Sequence, residues 1–265
     1  MQHIFRQHWN KILTTLSFCL MVNISALKID RVILATDNHE NYIQFWPLVA
    51  KAWKEIVGVQ PTLALIADES VIIDESLGDV IRFEPIPGVS TALYAQTIRL
   101  LLPALFPEDG CILSDIDMIP LNKSYFIDSV VDVPDDQFVI YRKLTYGTYP
   151  MCYNAAKGST FAELFQIHSI EEIPDQVKKW AALNIGWSTD EKVLRKYLQN
   201  WSLKETRCTY LNHPVGRRVD RLWWGYNKSM LTAGHYVDAH CLRPYHQYKS
   251  ATDRLLKDIG LIIDQ

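Results

Sequence analysis

Several things are missing from this sequence, and each absence removes a class of protein. The 27 Lys and Arg do not outweigh the 30 Asp and Glu, which leaves a formal net charge of −3. A dedicated DNA-binding chain carries a strong basic surplus, so no nucleic acid partner is expected. After the first thirty residues there is no run of about eighteen apolar residues, which excludes a polytopic membrane protein. The five cysteines include no C-x-x-C pair, so a structural zinc site is not expected. No internal repeat, low-complexity tract or flexible linker breaks the chain. Apolar residues are not scarce: 48% of the 265 positions are hydrophobic and 22% charged. That composition excludes disorder, a collagen-like fibre and a disulfide-dense miniprotein, and the length suits one α/β domain with a sizeable core.

The N-terminus reads differently from the rest. Residues 12–24 are mostly apolar, follow Arg6 and Lys11, and lead to the small residues Ser25 and Ala26. A basic flank, an apolar stretch and small residues near a cut make the layout of a signal or signal-anchor. The alternative is a helix or strand packed on the domain. The expected division is a leader or lead-in over residues 1–28 and one domain over residues 29–265. An anchor would bring membrane association and the secretory pathway, whereas a packed segment would leave the protein in the cytoplasm. Removal of the leader would take Cys19 and leave Cys111, Cys152, Cys208 and Cys241, which permits two disulfides without requiring any. Asn122, Asn200 and Asn227 begin N-x-S sequons, as does Asn23 in the leader.

Hydrophobic patterning predicts strands over residues 31–36, 62–67, 80–83 and 111–114, and helices over 42–57 and 91–102. Gly58 ends the first helix and Pro103 the second. The first 120 residues thus alternate as an open α/β sheet, whose ligand sites lie at the carboxyl ends of strands. Beyond them a strand is expected over 138–141 and helices over 159–167, 177–183 and 190–198.

The most informative stretch is Ser114-Asp115-Ile116-Asp117, directly after the fourth strand. Alternate side chains of an extended chain share a face, so the two aspartates can converge. Two anions held together need a cation, and hard oxygen ligands suit Mg²⁺ or Mn²⁺. A solvated acidic turn is the ordinary alternative.

Three segments carry a family resemblance. Thr97-Ile98-Arg99-Leu100-Leu101-Leu102-Pro103, followed by a strand and Asp115-Ile116-Asp117, is similar to the R-L-x-x-P helix, strand and D-x-D of GT-A glycosyltransferases. The pattern resembles glycosyltransferase family eight, the glycogenin and lipopolysaccharide galactosyltransferase group. Ala35-Thr36-Asp37-Asn38 with Tyr42 is similar to that family's opening nucleotide loop. His240-Cys241-Leu242-Arg243-Pro244-Tyr245 resembles its late H-x-x-G-x-x-K-P-W motif, with shorter spacing and without the glycine. Asn154-Ala155-Ala156 approximates its N-A-G.

The resemblance implies a single GT-A domain, an α/β fold with a mostly parallel central sheet and flanking helices. It implies metal-dependent transfer of a sugar from a nucleotide-diphosphate donor, a UDP-sugar, to the hydroxyl of an unidentified acceptor, with retention. Asp117 and His240, with Asp115, would hold Mn²⁺, with Mg²⁺ as the alternative. Thr36, Asp37, Asn38, Tyr42, Ser114, Asp115 and Arg243 would hold the nucleotide and its diphosphate. Asn154 and Asp190 would face the donor sugar, and Arg99 would pair with Asp115 or touch the sugar. Arg217, Arg218 and Arg221 offer a second basic loop beside Arg243. Were the reaction inverting, Asp190 or Glu191 would be the base. Each has an ordinary alternative: Tyr42 as packing, Arg99 as a solvated helix arginine, the Arg217-Arg218-Arg221 loop as a solvated turn, and His240, clustered with His235 and His246, as a half-buried histidine. Ser188 or Thr189 reads as the cap of the helix that begins near Asp190. Trp223-Trp224 is either a sugar platform or core, with core preferred. Two other functions compete: a haloacid-dehalogenase-like phosphatase with Asp115 as nucleophile, and an inactive GT-A-shaped binding protein. A sugar nucleotidyltransferase would need a glycine-rich loop that residues 35–40 lack.

Overall fold

The computed structural model describes residues 25–142, 148–212 and 216–261. The leader-like residues 1–24, with Cys19 and Asn23, lie outside the described residues. Among the described residues Ser25 bonds Asp135, Ala26 bridges Pro134, and Leu27 and Ile29 are buried.

The large sheet begins with β1 (Arg31–Asp37), β2 (Gln60–Ile66), β3 (Asp79–Phe83) and β4 (Gly110–Leu113). After β5 (Met118–Pro120) it gains β6 (Phe138–Ile140), β7 (Asn154–Lys157) and β8 (Cys208–Tyr210). Its order is β3-β2-β1-β4-β7-β6-β8. β1, β2, β3 and β4 are parallel, as are β6 and β8, and only β7 runs antiparallel to its neighbours. This is the mostly parallel sheet expected. A second sheet joins β5 to β10 (Asp238–His240) and β9 (Arg218–Val219), in the order β5-β10-β9.

The strands read as continuous apolar runs because both faces of the sheet are covered. Val32 and Leu34 enter one core, with Trp46, Val49 and Trp53. Ile33 and Ala35, alternating with them, enter the other, with Tyr94 and Ile98. The helices α1 (Glu40–Ile43) and α2 (Trp46–Ala52) cover the first face, and α3 (Thr91–Ile98) covers the second. A single helix over 42–57 was expected, but Pro47 sits in the first turn of α2. A proline there cannot donate to the turn before it, so the helix restarts. It ends in a π turn, Trp53–Val57, and Gly58 terminates it at φ 87°. α3 likewise ends at Ile98 rather than Leu102.

α4 (Lys123–Phe126) follows β5, α5 (Gly158–Phe165) follows β7, and α6 (Glu172–Ala181) and α7 (Thr189–Asn200) pack on the second core. The short α8 (Lys204–Arg207) and α9 (Lys228–Thr232) precede the long α10 (Tyr245–Asp258). No helix among the described residues is long and apolar enough to cross a membrane. The four described cysteines are all free thiols.

Gly110 shows how tightly the strand that leads to the aspartates is built in. A Cβ there would fall 1.7 Å from the Lys28 carbonyl oxygen, and backbone cannot yield cheaply. Gly110→Ala is expected to displace β4 and cost about 1–3 kcal/mol or more. A lower urea midpoint with unchanged slope would register it, and an unchanged midpoint would contradict it.

Candidate functional site

A cavity of about 530 Å³ opens where β1 and β4 end. Two features of the fold bring its chemistry together. β4 ends at Leu113 and β5 starts at Met118, so Asp115 and Asp117 occupy the crossing between the two sheets. β10 runs antiparallel to β5 with His240 opposite Met118, and the Cys241 N–H donates to the Asp117 carbonyl at 2.9 Å. Residues more than a hundred positions apart are thereby fixed beside one another. Asp117 Oδ2 lies 3.8 Å from His240 Nε2.

Arg99 forms the floor. It caps the end of α3 and is buried. Its Nη1 donates to Asp115 Oδ1 and, at 3.2 Å, to the Ser114 carbonyl, while Nη2 donates to Asp190 Oδ2 at 3.0 Å and Nε to the Gln96 carbonyl at 3.2 Å. Burial opposes the guanidinium charge, but Asp115 and Asp190 more than restore it. The two carboxylates diverge in response. Burial would raise the Asp115 carboxyl, but the charge and hydrogen bond of Arg99 hold it below its ordinary value. Burial dominates at Asp190, which is pushed up to about 6 against the pull of Arg99 and the Glu191 N–H. Glu191 is raised too, by burial first. Such perturbed acids mark candidate sites.

Most of the expected residues meet at this cavity. Thr36, Asp37, Tyr42, Arg99, Asp115, Asp117, Asp190, His240 and Arg243 all line it. Arg243 packs its guanidinium 4.8 Å from the Tyr42 ring centre, donates to the Tyr42 hydroxyl, and reaches Asp117 Oδ2 at 3.6 Å. Asp37 is anchored within the fold, accepting from Thr91 Oγ1 at 2.8 Å and from the His39 N–H at 3.1 Å.

Three expected residues lie off the cavity. Asn38 is exposed beyond the end of β1. Ser114 is fully buried and donates to the Asp115 carbonyl. Asn154 is buried in β7, where its Nδ2 donates to the Pro150 and Met151 carbonyls. It thus holds residues 150–152, which do line the cavity. The expected cap of α7 is not made: Ser188 occupies the position without a side-chain bond, and Thr189 Oγ1 turns back to the Gly186 carbonyl.

The basic loop divides. Arg217 donates to the Gly234 and His235 carbonyls, and Arg218 grips Asp238 with two nitrogens. Arg221 instead enters the cavity and donates to Asp117 Oδ2 at 2.8 Å. The preference for a buried Trp223-Trp224 pair is overturned for Trp223, which is 83% exposed. Only Trp224 packs on the core. Leu222 and Trp187, 77% and 68% exposed, border the cavity. Arg221 belongs to the basic loop the sequence offers, and it alone of the three arginines lines the cavity; Leu222 and Trp187 carried no usable signal, because each sits in irregular chain without periodicity. Cys152 also lines the wall, and burial pushes its thiol up to about 12, far from a reactive thiolate.

The residues can be tested against a divalent cation. Among the described residues no three His, Cys, Asp or Glu side chains gather as a metal site, and Asp115 is engaged by Arg99. Asp117 and His240 remain, although Asp117 Oδ2 is itself bonded by Arg221, and burial moves the imidazole toward its neutral, ligating form. Mg²⁺ and similar ions are commonly held by one or two carboxylates with substrate phosphates completing the shell. The donor set therefore fits a cation that arrives with a diphosphate.

No protein-family model and no curated protein sequence matches the chain. Solved structures do. The galactosyltransferase LgtC, solved with donor and acceptor sugar analogues, superposes with a TM-score of 0.50 at 12% identity, over 89% of this chain and 97% of that one. The apo form of the glycosyltransferase GlyE from Streptococcus pneumoniae TIGR4 gives 0.50 at 14% identity, over 88% of this chain and 62% of that one. At these identities the likeness is one of fold, and the fold is the GT-A fold of glycosyltransferases.

Proposed function

We propose that the chain is a glycosyltransferase that takes a sugar from a nucleotide-diphosphate donor, a UDP-sugar, and transfers it to an acceptor hydroxyl with retention. The observation that carries this reading is the single cavity at the strand ends that joins Asp115, Asp117 and Asp190 to Arg99, Arg243 and His240. A site with alternating anchored acids and arginines suits a ligand that combines a polyhydroxylated ring with a diphosphate. The competing phosphatase reading needs Asp115 free as a nucleophile, and its ion pair with Arg99 argues against that.

In this reading Tyr42 packs against the base and Arg243 contacts the diphosphate. Asp117 and His240 would hold Mn²⁺, or Mg²⁺, which when bound supplies Lewis-acid stabilisation of charge on the leaving diphosphate. Asp190 faces the donor sugar and stabilises positive charge at its anomeric carbon. Both Asp190 oxygens are occupied, by Arg99 Nη2 and the Glu191 N–H. It is held as a fixed charge rather than a free base, which supports retention. The anomeric carbon–phosphate oxygen bond breaks, the acceptor oxygen bonds to that carbon on the same face, and its proton passes to the departing diphosphate. The acceptor would enter past Trp187 and Leu222.

The test is thermal unfolding of the full chain with UDP, GDP or CDP, each with Mn²⁺ and with a chelator. A ligand at a hundred times its Kd raises the melting temperature of a domain this size by about 5–10 °C. The expected result is a rise with UDP that is largest with Mn²⁺. No rise with any nucleotide would sink the proposal.

A further inference from the structure

Arg221 is a cationic side chain at the cavity whose partners among the described residues do not account for it. We propose that Arg221, which donates to Asp117, is a donor-binding residue whose remaining guanidinium nitrogens contact the donor's diphosphate. The inference rests on the nucleotide-sugar reading above and adds a residue to it.

Three observations support it. The first is incomplete pairing. Arg221 donates from Nη2 to Asp117 Oδ2, yet its Nε and Nη1 are buried with no acceptor among the described residues. These two nitrogens carry three of the five N–H donors of a guanidinium. Leaving charged donors unsatisfied and out of water is costly, so the pose lacks a partner with several acceptor oxygens. A diphosphate is such a partner.

The second is the contrast with its neighbours. Arg218, on the adjacent strand β9, grips Asp238 through both Nε and Nη2. Arg99 uses all three nitrogens. Neither Arg218 nor Arg99 has a buried guanidinium nitrogen without an acceptor among the described residues, and Arg221 has two.

The third is crowding on one anion. Asp117 Oδ2 faces Arg221 at 2.8 Å, Arg243 at 3.6 Å and His240 at 3.8 Å. Two permanent cations share one carboxylate oxygen, which cannot satisfy both, and phosphate oxygens would supply the further acceptors.

The experiment measures binding of UDP, UMP and uridine to the full chain by calorimetry, with Mn²⁺ and with a chelator. Wild type is compared with Arg221→Gln and Arg221→Lys, and unliganded melting temperatures are recorded. The expected result is a loss of about 10- to 100-fold in UDP affinity for Arg221→Gln. UMP should lose less, uridine should bind within about twofold of wild type, and Arg221→Lys should recover part of the UDP affinity. The unliganded melting temperature of Arg221→Gln should be unchanged or higher, because unpaired donors have been removed. Equal UDP affinity in wild type and Arg221→Gln overturns the assignment. So does a parallel loss of uridine and UDP with a lower melting temperature, which would mark a purely structural arginine. Failure of wild type to bind any nucleotide overturns the nucleotide-sugar reading itself.

Discussion

Replacing Arg99 by methionine is expected to destabilise the protein by about 3–5 kcal/mol, the range found when one partner of a buried ion pair is removed. Arg99 and Asp190 are 7% and 6% exposed at their side chains, and Asp115 shares the same guanidinium. Methionine fills the volume but leaves two carboxylates facing each other without a cation. The pH dependence distinguishes this from simple loss of packing. In the wild type the folded pKa of Asp115 is depressed, so its contribution is present above the unfolded value and is lost as pH falls through the folded one. Without Arg99 both carboxylates are raised, and each then destabilises the fold as pH climbs through its unfolded value toward its folded one. The deficit of Arg99→Met should therefore be large at pH 8 and shrink toward pH 4.5, as both acids bind protons. Urea unfolding at the two pH values measures it. A loss under about 1 kcal/mol, or one indifferent to pH, would show that the pair is not the keystone described here.

Arg99 also marks where sequence reading works and where it stops. Its position was legible because it lies between a helix of regular period and a strand that is apolar on every residue. Such segments declare themselves through burial on both faces, and the first four strands of the large sheet were found within one or two residues for that reason. The helix break at Pro47 was legible in principle and was outweighed by the apolar spacing around it. The second sheet left no comparable trace. β5, β9 and β10 have two or three residues each, too few for any periodicity, and they exist only because β10 pairs with β5, over a hundred positions away, and with β9, twenty positions away. His240 was reached through a resemblance, and the register of β10 on β5 supplies its physical reason. Arg221 was legible only as one of three arginines in a basic loop. A cation in an irregular loop looks the same whether it faces water or a cavity, and only the fold distinguishes it from Arg217 and Arg218. Trp223 was misread for a related cause. Tryptophan is usually core, and nothing local announces the exception.

Asp190→Asn is expected to lower the rate of sugar transfer by about 10²- to 10³-fold, while the protein folds about as well as the wild type. The two effects have one origin. Burial pushes the Asp190 carboxyl up to about 6, above its value in the unfolded chain. Its ionisation therefore opposes folding, increasingly as pH rises from the unfolded value through about 6. Asparagine keeps one oxygen to accept from Arg99 but sets its amide N–H₂ against the Glu191 N–H, which donates to the second carboxylate oxygen in the wild type; removal of the opposed buried charge offsets that lost bond, so stability at pH 7–8 should be about unchanged. In the proposed transfer the same charge acts on the donor sugar. A fixed anion beside the anomeric carbon stabilises positive charge that develops only in the transition state, and removing one preorganised electrostatic partner has an effect of the stated size. The wild-type rate should climb with a single ionisation near pH 6 and then level off, and the variant should lose that step. Initial rates of UDP release across pH 5–8, set beside unfolding curves for both proteins, make the comparison. A variant that retains transfer within tenfold, with the ionisation still present, would place the reacting carbon elsewhere in the cavity. A variant that is slow because it is poorly folded would reveal itself in the unfolding curve, where no loss of stability is expected.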